Sequence, residues 1–143
     1  MQVKKQIVGW REWVCLPELG IEAVKAKVDT GALTSALHAI HLRRFQENGR
    51  PRVRFDIHPL QKRSDITVHC VADVMDEREI RSSNGHVESR PVIRTLLRLG
   101  EDQWPIELTL TNRDSMGFRM LLGRRAMRRH LIVDPSASYL FGR

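Results

Sequence analysis

The stretch KVDTGALTSALHA, residues 27–39, places an aspartate directly after a run in which apolar and polar side chains alternate. The alternation over residues 24–28 predicts a β-strand with one face in a core and the other in solvent. In the triplet Asp29-Thr30-Gly31, the glycine allows a tight turn and the threonine hydroxyl can brace it. The pattern predicts a strand whose end directs the Asp29 carboxylate into a cleft, with an ordinary structural turn as the alternative.

The same two-residue period recurs along much of the chain and dominates its organisation. It predicts further strands at residues 52–57, 66–74, 91–99 and 106–110. Turns are signalled by Asn48-Gly49, Asn84-Gly85 and Gly100-Glu101. Many short strands predict a mainly β fold, a barrel or a sandwich, and no internal repeat or linker is visible.

One segment has helical spacing. The run GRRAMRRHL, residues 123–131, puts Met127 and Leu131 on one face and spaces Arg124 and Arg128 four residues apart. It predicts a single short helix near the C-terminus. Trp104, in the strand-like stretch upstream, is expected to pack in the core.

Length and composition are those of one folded domain, residues 1–143. No apolar run approaches the roughly 18 residues that a membrane helix needs, so no membrane partner is expected. The N-terminus has basic residues without an apolar signal region, and this favours a cytoplasmic location. In such a reducing compartment Cys15 and Cys70 are expected to be small buried or half-buried thiols.

The charge balance points to an anionic partner. The formal net charge is +7 with a pI near 10.2, and 19 of the 24 basic residues are arginine. The planar guanidinium suits carboxylates and phosphates. Nucleic acid, a ribosomal surface and an acidic peptide all satisfy this charge equally, and a solvated basic surface without an anionic partner is the alternative.

Several common catalytic motifs are absent from the sequence. It contains no HExxH, GxSxG, GxGxxG or GxxxxGK[ST], so the usual zinc-peptidase, hydrolase, dinucleotide and phosphate-loop sites lack their defining residues. His38 and His41 could face one metal ion. A third ligand would then have to come from His69, Cys70 or Asp73, and ordinary surface or core histidines are the favoured interpretation.

Downstream of the aspartate, the apolar pair Leu121-Leu122 is followed by Gly123 and the predicted helix. A strand ending in Asp-Thr-Gly-Ala together with this late segment resembles the retropepsin fold of aspartic peptidases, a closed β-barrel with one short C-terminal helix. Residues 81–90, RSSNGHVESR, stand where that fold carries the flap hairpin that closes over substrate.

The resemblance is closer to one bacterial retropepsin-like group, the RimB-like family, whose members are labelled ATP-dependent zinc proteases. It is carried by DTGALTSALHA (29–39), RSSNGHVESRPVIRTLLRL (81–99), WPIELTLTNRDSM (104–116) and MLLGRRAM (120–127), and it covers roughly residues 8–141. Members of this family are found beside RimK-type ligases, which add glutamates to the tail of a ribosomal protein. No zinc motif or ATP-binding loop supports the label, so no metal or cofactor is expected.

The resemblance implies which residues form the site. Asp29, Thr30 and Gly31 would form the catalytic loop. The expected substrate-binding residues around it and the flap are Ala32, Thr34, Arg81, Ser83, Arg90, Arg113 and Arg124. In the viral relatives the arginine after the late glycine pairs with an aspartate, but that position is Leu33 here. Arg124 is therefore expected either to pair with another acid or to bind substrate.

The resemblance also implies two subunits, because aspartic peptidases use two carboxylates that share one proton. Asp114-Ser115-Met116 and Asp134-Pro135-Ser136 lack the glycine of the catalytic loop. A two-fold homodimer is therefore expected, with Asp29 of each subunit meeting at the axis. In viral relatives the termini interleave at this interface, and residues 3–8 and 138–142 are predicted as strands that could do likewise or form plain edges.

The expected function is an aspartic-type endopeptidase that cleaves glutamate-rich tails, with a glutamylated ribosomal protein or another acidic peptide as substrate and a RimK-type ligase as a possible partner. Two alternatives stay open. One is a non-enzymatic β-barrel that binds nucleic acid or ribosomes through the basic run RRAMRR, residues 124–129. The other is a metal-dependent peptidase that uses His38 and His41.

Overall fold

The chain folds into a closed β-barrel with an attached three-stranded sheet. The structure, a computed structural model, describes residues 4–60, 66–81, 84–112 and 117–142. The strands are β1 (Gln6–Val8), β2 (Arg11–Leu16), β3 (Ile21–Val28), β4 (Ser35–His38), β5 (Ile40–Glu47), β6 (Arg50–Ile57), β7 (Val68–Asp73), β8 (Asp76–Arg81), β9 (Val87–Leu99), β10 (Asp102–Thr111), β11 (Met120–Leu122) and β12 (Leu131–Val133). The helices are a 3-10 turn (Pro17–Leu19) and α1 (Arg124–Met127).

Six strands close the barrel in the order β10-β4-β11-β3-β2-β9, because β9 pairs with β10 as well as with β2. Strand β8 extends the sheet beyond β9, and their pairing forms an antiparallel hairpin with Arg81 opposite Val87. The expected mainly β fold, a closed barrel with one short helix, is confirmed. So is the predicted hairpin at the flap position, over its described residues.

Strands β5, β6 and β7 form a second sheet of three antiparallel strands. The predicted Asn48-Gly49 turn joins β5 to β6, and both residues have positive φ, 52° and 76°, as a tight two-residue hairpin turn requires. The inward side chains of this sheet, such as Phe55, join the barrel residues in one hydrophobic cluster. The alternation in the sequence thus divides β6 between core and solvent.

The predicted helix over 123–131 is wrong in length. Helix α1 ends at Met127, because Arg128 has non-helical angles and Arg129 has a φ of 78°. Leu131 begins strand β12, which pairs in parallel with β1. Pairing with a distant strand therefore overrides the helical spacing of the last four residues.

Trp104 anchors the short helix to the barrel. Its buried indole N–H donates to the carbonyl of Ala126 at 2.8 Å, and its ring stacks on His130 with centroids 4.2 Å apart. Its predicted place in the core is confirmed. Among the described residues, no helix is both long enough and apolar enough to cross a bilayer.

The N-terminal strand prediction is confirmed by β1, but the predicted strand over 138–142 is wrong. Tyr139 has a positive φ of 52° and its carbonyl accepts the Gly142 N–H, so this segment turns instead of extending. It folds back on β2: the Tyr139 N–H bonds the Arg11 carbonyl, and the Leu140 N–H bonds the buried carboxylate of Glu12. The C-terminal strand that pairs with β1 is β12.

The two cysteines are buried and free, as predicted. Burial, with a smaller contribution from the nearby charge of Asp56, raises the pKa of Cys70 to about 12. Its thiol is therefore protonated at neutral pH and is a poor nucleophile.

Candidate active site

The Asp29 loop begins where β3 leaves the barrel. Strand β3 lies parallel to β11 with Val28 opposite Leu122, and the Asp29 N–H donates to the Leu122 carbonyl at 2.9 Å. The half-exposed carboxylate turns back over the loop, and its Oδ1 accepts the Gly31 N–H at 2.9 Å. A hydrogen bond from the Ala32 N–H to the Asp29 carbonyl closes the turn at 3.2 Å. The barrel therefore fixes both ends of the triplet.

The segment after β11 crosses next to this loop and holds it. The Arg124 N–H donates to the Ala32 carbonyl at 2.8 Å, and the Arg125 N–H donates to the Leu33 carbonyl at 3.0 Å. Gly123 lets the two backbones approach, because a Cβ added there would lie 2.5 Å from the Thr34 carbonyl oxygen. The apolar-apolar-Gly pattern in the sequence thus marks the point where two distant segments meet.

Ser35 contributes to this crossing and was missed by the sequence analysis. Its side chain is buried, and its hydroxyl oxygen accepts the Gly123 N–H at 3.0 Å. A serine at the start of a strand carries no signal of this role, because its partner lies 88 residues away in the chain.

Within the described residues, Arg124 does not form the expected ion pair with another acid. Its guanidinium donates to the Thr30 carbonyl at 3.0 Å, so it braces the loop through the backbone. Leu33, at the position of the aspartate in viral relatives, is 41% exposed. The guanidinium therefore replaces a side-chain ion pair with a backbone hydrogen bond, and its contact with substrate stays a prediction.

The other predicted site residues divide into two groups. Ala32 and Thr34 lie in the loop beside Asp29 and Arg124. Arg81 and Arg90 lie on the β8–β9 hairpin, at the end of β8 and within β9. Arg90 forms an ion pair with Glu88 at 3.2 Å, so part of its hydrogen-bonding capacity is already used. Ser83 and Arg113 lie outside the described residues.

The histidines do not assemble the metal site of the alternative hypothesis in the described part of the chain. His41 and His69 both approach Asp56, with Nδ1 to carboxylate oxygen distances of 2.8 and 2.6 Å. The hydrogen bonds from His41 and then His69 lower the pKa of Asp56 below its usual range. Among residues 4–60, 66–81, 84–112 and 117–142, no group of three or more metal-ligand residues could hold an ion.

Comparison with known families and proteins extends this picture. The profile of the family described as retropepsin-like aspartic endopeptidase RimB matches residues 7–143. Three curated relatives are each named "Probable alpha-L-glutamate ligase". The protein of Shewanella halifaxensis is 50% identical over 99% of this chain, that of Desulfotalea psychrophila 50% over 98%, and that of Parasynechococcus marenigrum 49% over 97%. The chain spans only 30–31% of the length of these relatives.

A solved structure shares the architecture. The crystal structure of a Legionella pneumophila protein of unknown function superposes with a TM-score of 0.79 at 25% identity, covering 96% of this chain and 99% of the other. The overall fold is therefore shared by two proteins that have diverged widely in sequence.

Proposed function

The chain belongs to the RimB-like family of retropepsin-like aspartic endopeptidases, and from this premise we propose that it hydrolyses peptide bonds with Asp29. The observation that carries the proposal is the turn at the end of β3. There the carboxylate is accessible, and its orientation is fixed by the Gly31 N–H and by the crossing segment at Gly123. A fixed, accessible carboxylate is what a general base needs in order to activate water.

The active species in this proposal is a two-fold homodimer. Two carboxylates close together share one proton, so that one activates water while the other, protonated, polarises the peptide carbonyl. Within the described residues Asp29 is the one aspartate in an Asp-Thr-Gly turn. A second copy of the chain supplies the second aspartate, and the substrate lies across both subunits.

The parallel pair β1–β12 is the surface that we assign to this dimer. Ile7 and Ile132 face each other in register, and both are more than half exposed, at 57% and 53%. Adjacent exposed isoleucines on a short sheet are typical of a surface that is covered by a partner.

The dimer surface can be tested by sedimentation velocity. We expect Ile132→Lys to shift the protein from dimer towards monomer and to reduce peptide hydrolysis in parallel. Val71→Lys is the matched control, because Val71 is 42% exposed on β7, in the other sheet. A wild-type monomer that is fully active would refute the two-subunit mechanism.

The proposed substrate is a glutamate-rich tail added to a ribosomal protein by a RimK-type ligase. Two features support it: the net charge of +7, most of it on arginine, and the name glutamate ligase carried by relatives that contain a matching region. We infer that the ligase activity in that name belongs to the part of those relatives outside the match, and that the matching region reverses the addition. A ligase and a peptidase of opposite effect then act on one acidic tail.

The preference for a glutamate-rich substrate can be tested with two peptides that differ only in their extension. A peptide with an oligoglutamate extension should be hydrolysed faster than the same peptide with an oligoglutamine extension, with cleavage sites located by mass spectrometry. Equal rates would remove the trimming hypothesis while leaving the peptidase intact. Binding of the protein to ribosomes without hydrolysis of either peptide would favour the non-enzymatic alternative.

A further inference from the structure

A cleft lined by arginines lies beside the Asp29 loop. Its volume is about 280 Å³, and it is bordered by the start of β4, by the β9–β10 pair and by the helix α1. Three guanidinium-bearing residues line it: Arg94 from β9, Arg125 from α1 and Arg128 just after α1. Two of them, Arg125 and Arg128, belong to the basic run RRAMRR, and the proposed mechanism gives their side chains no role.

These three arginines are exposed and, in the described ranges, none of their side chains hydrogen-bonds or pairs with a carboxylate. Other arginines of the molecule are paired: Arg44 lies 2.7 Å from Glu77, and Arg52 lies 2.6 Å from Glu47. Repulsion between three neighbouring like charges is unfavourable unless an anion offsets it. The cleft therefore favours the binding of an anion.

One carboxylate, Glu107, is part of the same lining. It lies across the strand pair from Arg94, and its nearest ion-pair distance is 3.9 Å, to Arg78 of the neighbouring hairpin. It therefore leaves the cleft with a net positive charge. Its oxygens can also accept a hydrogen bond from the N–H group of a bound peptide.

We propose that this cleft binds the carboxylate side chains of an acidic peptide whose scissile bond lies at Asp29. The proposal rests on the proposed peptidase function and adds a specificity site to it. Arg128 lines a second cavity together with Thr30, Arg124 and Met127, so the cleft and the Asp29 loop share a wall. A peptide held at Asp29 can reach the arginines within a few residues.

The composition of the cleft favours a peptide over a nucleic acid. Its lining includes Ile106 and Ala126, which suit the methylene groups of a glutamate side chain, and none of the described residues that line it is aromatic, so they offer a base no ring on which to stack. Arginine forks bind carboxylates through two parallel hydrogen bonds.

Binding can be measured without cleavage in an Asp29→Asn protein. Fluorescence anisotropy would compare a labelled oligoglutamate peptide with its oligoglutamine counterpart. We expect the added triple change Arg94→Gln, Arg125→Gln, Arg128→Gln to weaken oligoglutamate binding about tenfold or more. Oligoglutamine binding should stay unchanged. The matched control removes the same charge from the β5–β6 hairpin, as Arg43→Gln, Arg50→Gln, Arg54→Gln, and should weaken binding less than about twofold.

A second variant separates geometry from charge and guards against misfolding. Replacing the same three arginines with lysine keeps the charge but loses the planar fork, so affinity should fall to a value between wild type and the glutamine triple. Circular dichroism and thermal melting verify the fold of each variant.

Equal losses in the cleft and hairpin triples would overturn the proposal, because the effect would then be one of net charge. So would a single-stranded RNA that binds the cleft more tightly than oligoglutamate does. Failure of the peptidase function has a different signature, namely retained oligoglutamate binding with no hydrolysis of any peptide by the protein with Asp29.

Discussion

Two aspartates of this chain, Asp29 and Asp134, form nearly the same turn, and each turn lies at the end of a pair of parallel strands. Asp29 follows β3 and donates its N–H to the last residue of the parallel strand β11, while Asp134 follows β12 and donates to Val8, the last residue of the parallel strand β1. Each carboxylate Oδ1 accepts the N–H two residues on, at 2.9 and 3.0 Å. Each aspartate carbonyl accepts the N–H three residues on, at 3.2 Å.

The crossing segments also correspond. Gly123 approaches the Asp29 loop and Gly9 approaches the Asp134 turn, and a Cβ at these positions would lie 2.5 and 2.2 Å from a carbonyl oxygen. The next residue donates its N–H to the carbonyl three residues beyond the aspartate, at 2.8 Å from Arg124 and 2.9 Å from Trp10. The fold therefore contains the same arrangement twice: two parallel strands, an aspartate turn after one strand and a glycine that crosses it after the other. We call each arrangement a hydrogen-bonded frame, with Asp29 in the first and Asp134 in the second.

The difference lies in the side chains. Ser136 stands where Gly31 would be, and its hydroxyl donates to Asp134 Oδ1 at 2.6 Å. That bond, with the Ser136 N–H, lowers the pKa of Asp134. At the other turn a guanidinium braces the loop backbone at Thr30. The turn geometry by itself therefore does not distinguish the two aspartates. What distinguishes Asp29 is the Thr30-Gly31 sequence of its turn and the guanidinium that braces it, and a comparison of variants at the two turns tests whether these differences matter for activity.

The largest expected effect comes from Asp29→Asn. Asparagine can still accept the Gly31 N–H but cannot share or transfer a proton, so peptide hydrolysis should fall by about 10³-fold or more with little change in fold. Asp134→Asn is the matched control and should leave kcat/KM close to wild type. Similar losses in both variants would mean that the two turns do not differ in function.

The second largest effects are expected from substitutions of the two crossing glycines. Gly123→Ala and Gly9→Ala should each cost about 1–3 kcal/mol of folding free energy, because a Cβ would press on backbone that cannot easily move. At protein concentrations where both variants are dimeric, Gly123→Ala should lower the hydrolysis rate of the folded protein more than Gly9→Ala does, since it displaces the Asp29 loop directly. Chemical denaturation measures the stability, and a rate per folded molecule that is equal in both would contradict this distinction.

A smaller effect is expected from Arg124→Gln. Loss of the hydrogen bond to the Thr30 carbonyl should lower kcat about three- to tenfold, as expected for one hydrogen bond of about 1 kcal/mol. Arg11→Gln is the control, because Arg11 lies one residue beyond Trp10, the position that corresponds to Arg124, and its guanidinium hydrogen-bonds the Ser138 hydroxyl at 3.2 Å near the Asp134 turn. It should leave kcat unaffected. If KM rises while kcat stays unchanged, the result would instead indicate that Arg124 binds substrate.

The smallest expected effect is a pH-dependent one at Asp134. Its folded pKa lies below the ordinary value of 3.8, so its contribution to stability is present above that pH and is lost as pH falls through the folded value. The difference in melting temperature between wild type and Asp134→Ala should therefore be larger at pH 7 than at pH 2. A difference that grows on acidification would contradict the direction of the shift.

Strands β3, β6, β7, β9 and β10 were predictable because their signal is local. Alternation along residues 24–28 or 52–57 is set by the pleat of each strand, wherever its partner lies. The helix end and the tail were not predictable in this way, since β12 forms only by pairing with β1 and the segment after Ser138 turns only because β2 and Glu12 receive it. Local spacing carries no information on such distant partners.

The candidate site was predictable in part. The Asp-Thr-Gly triplet and the late apolar-apolar-Gly segment could be read as motifs, whereas the role of Ser35 and the arginine cleft could not. Neither could the second frame at Asp134, because its hydrogen bonds run through the backbone and leave little trace in residue identity. A sequence search for internal repeats compares side chains, and these differ.

The sequence by itself determined the alternation of the strands, the position of the turns and the identity of the carboxylate at the end of β3, because each depends on residues that are neighbours in the chain. Only the tertiary structure decided that Leu122, Gly123 and Arg124 meet the Asp29 loop, and that Arg94 joins Arg125 and Arg128 around one cleft. The physical reason is closure of the barrel, which brings together hydrogen-bonding groups and charges that lie about 30 to 95 residues apart in the chain.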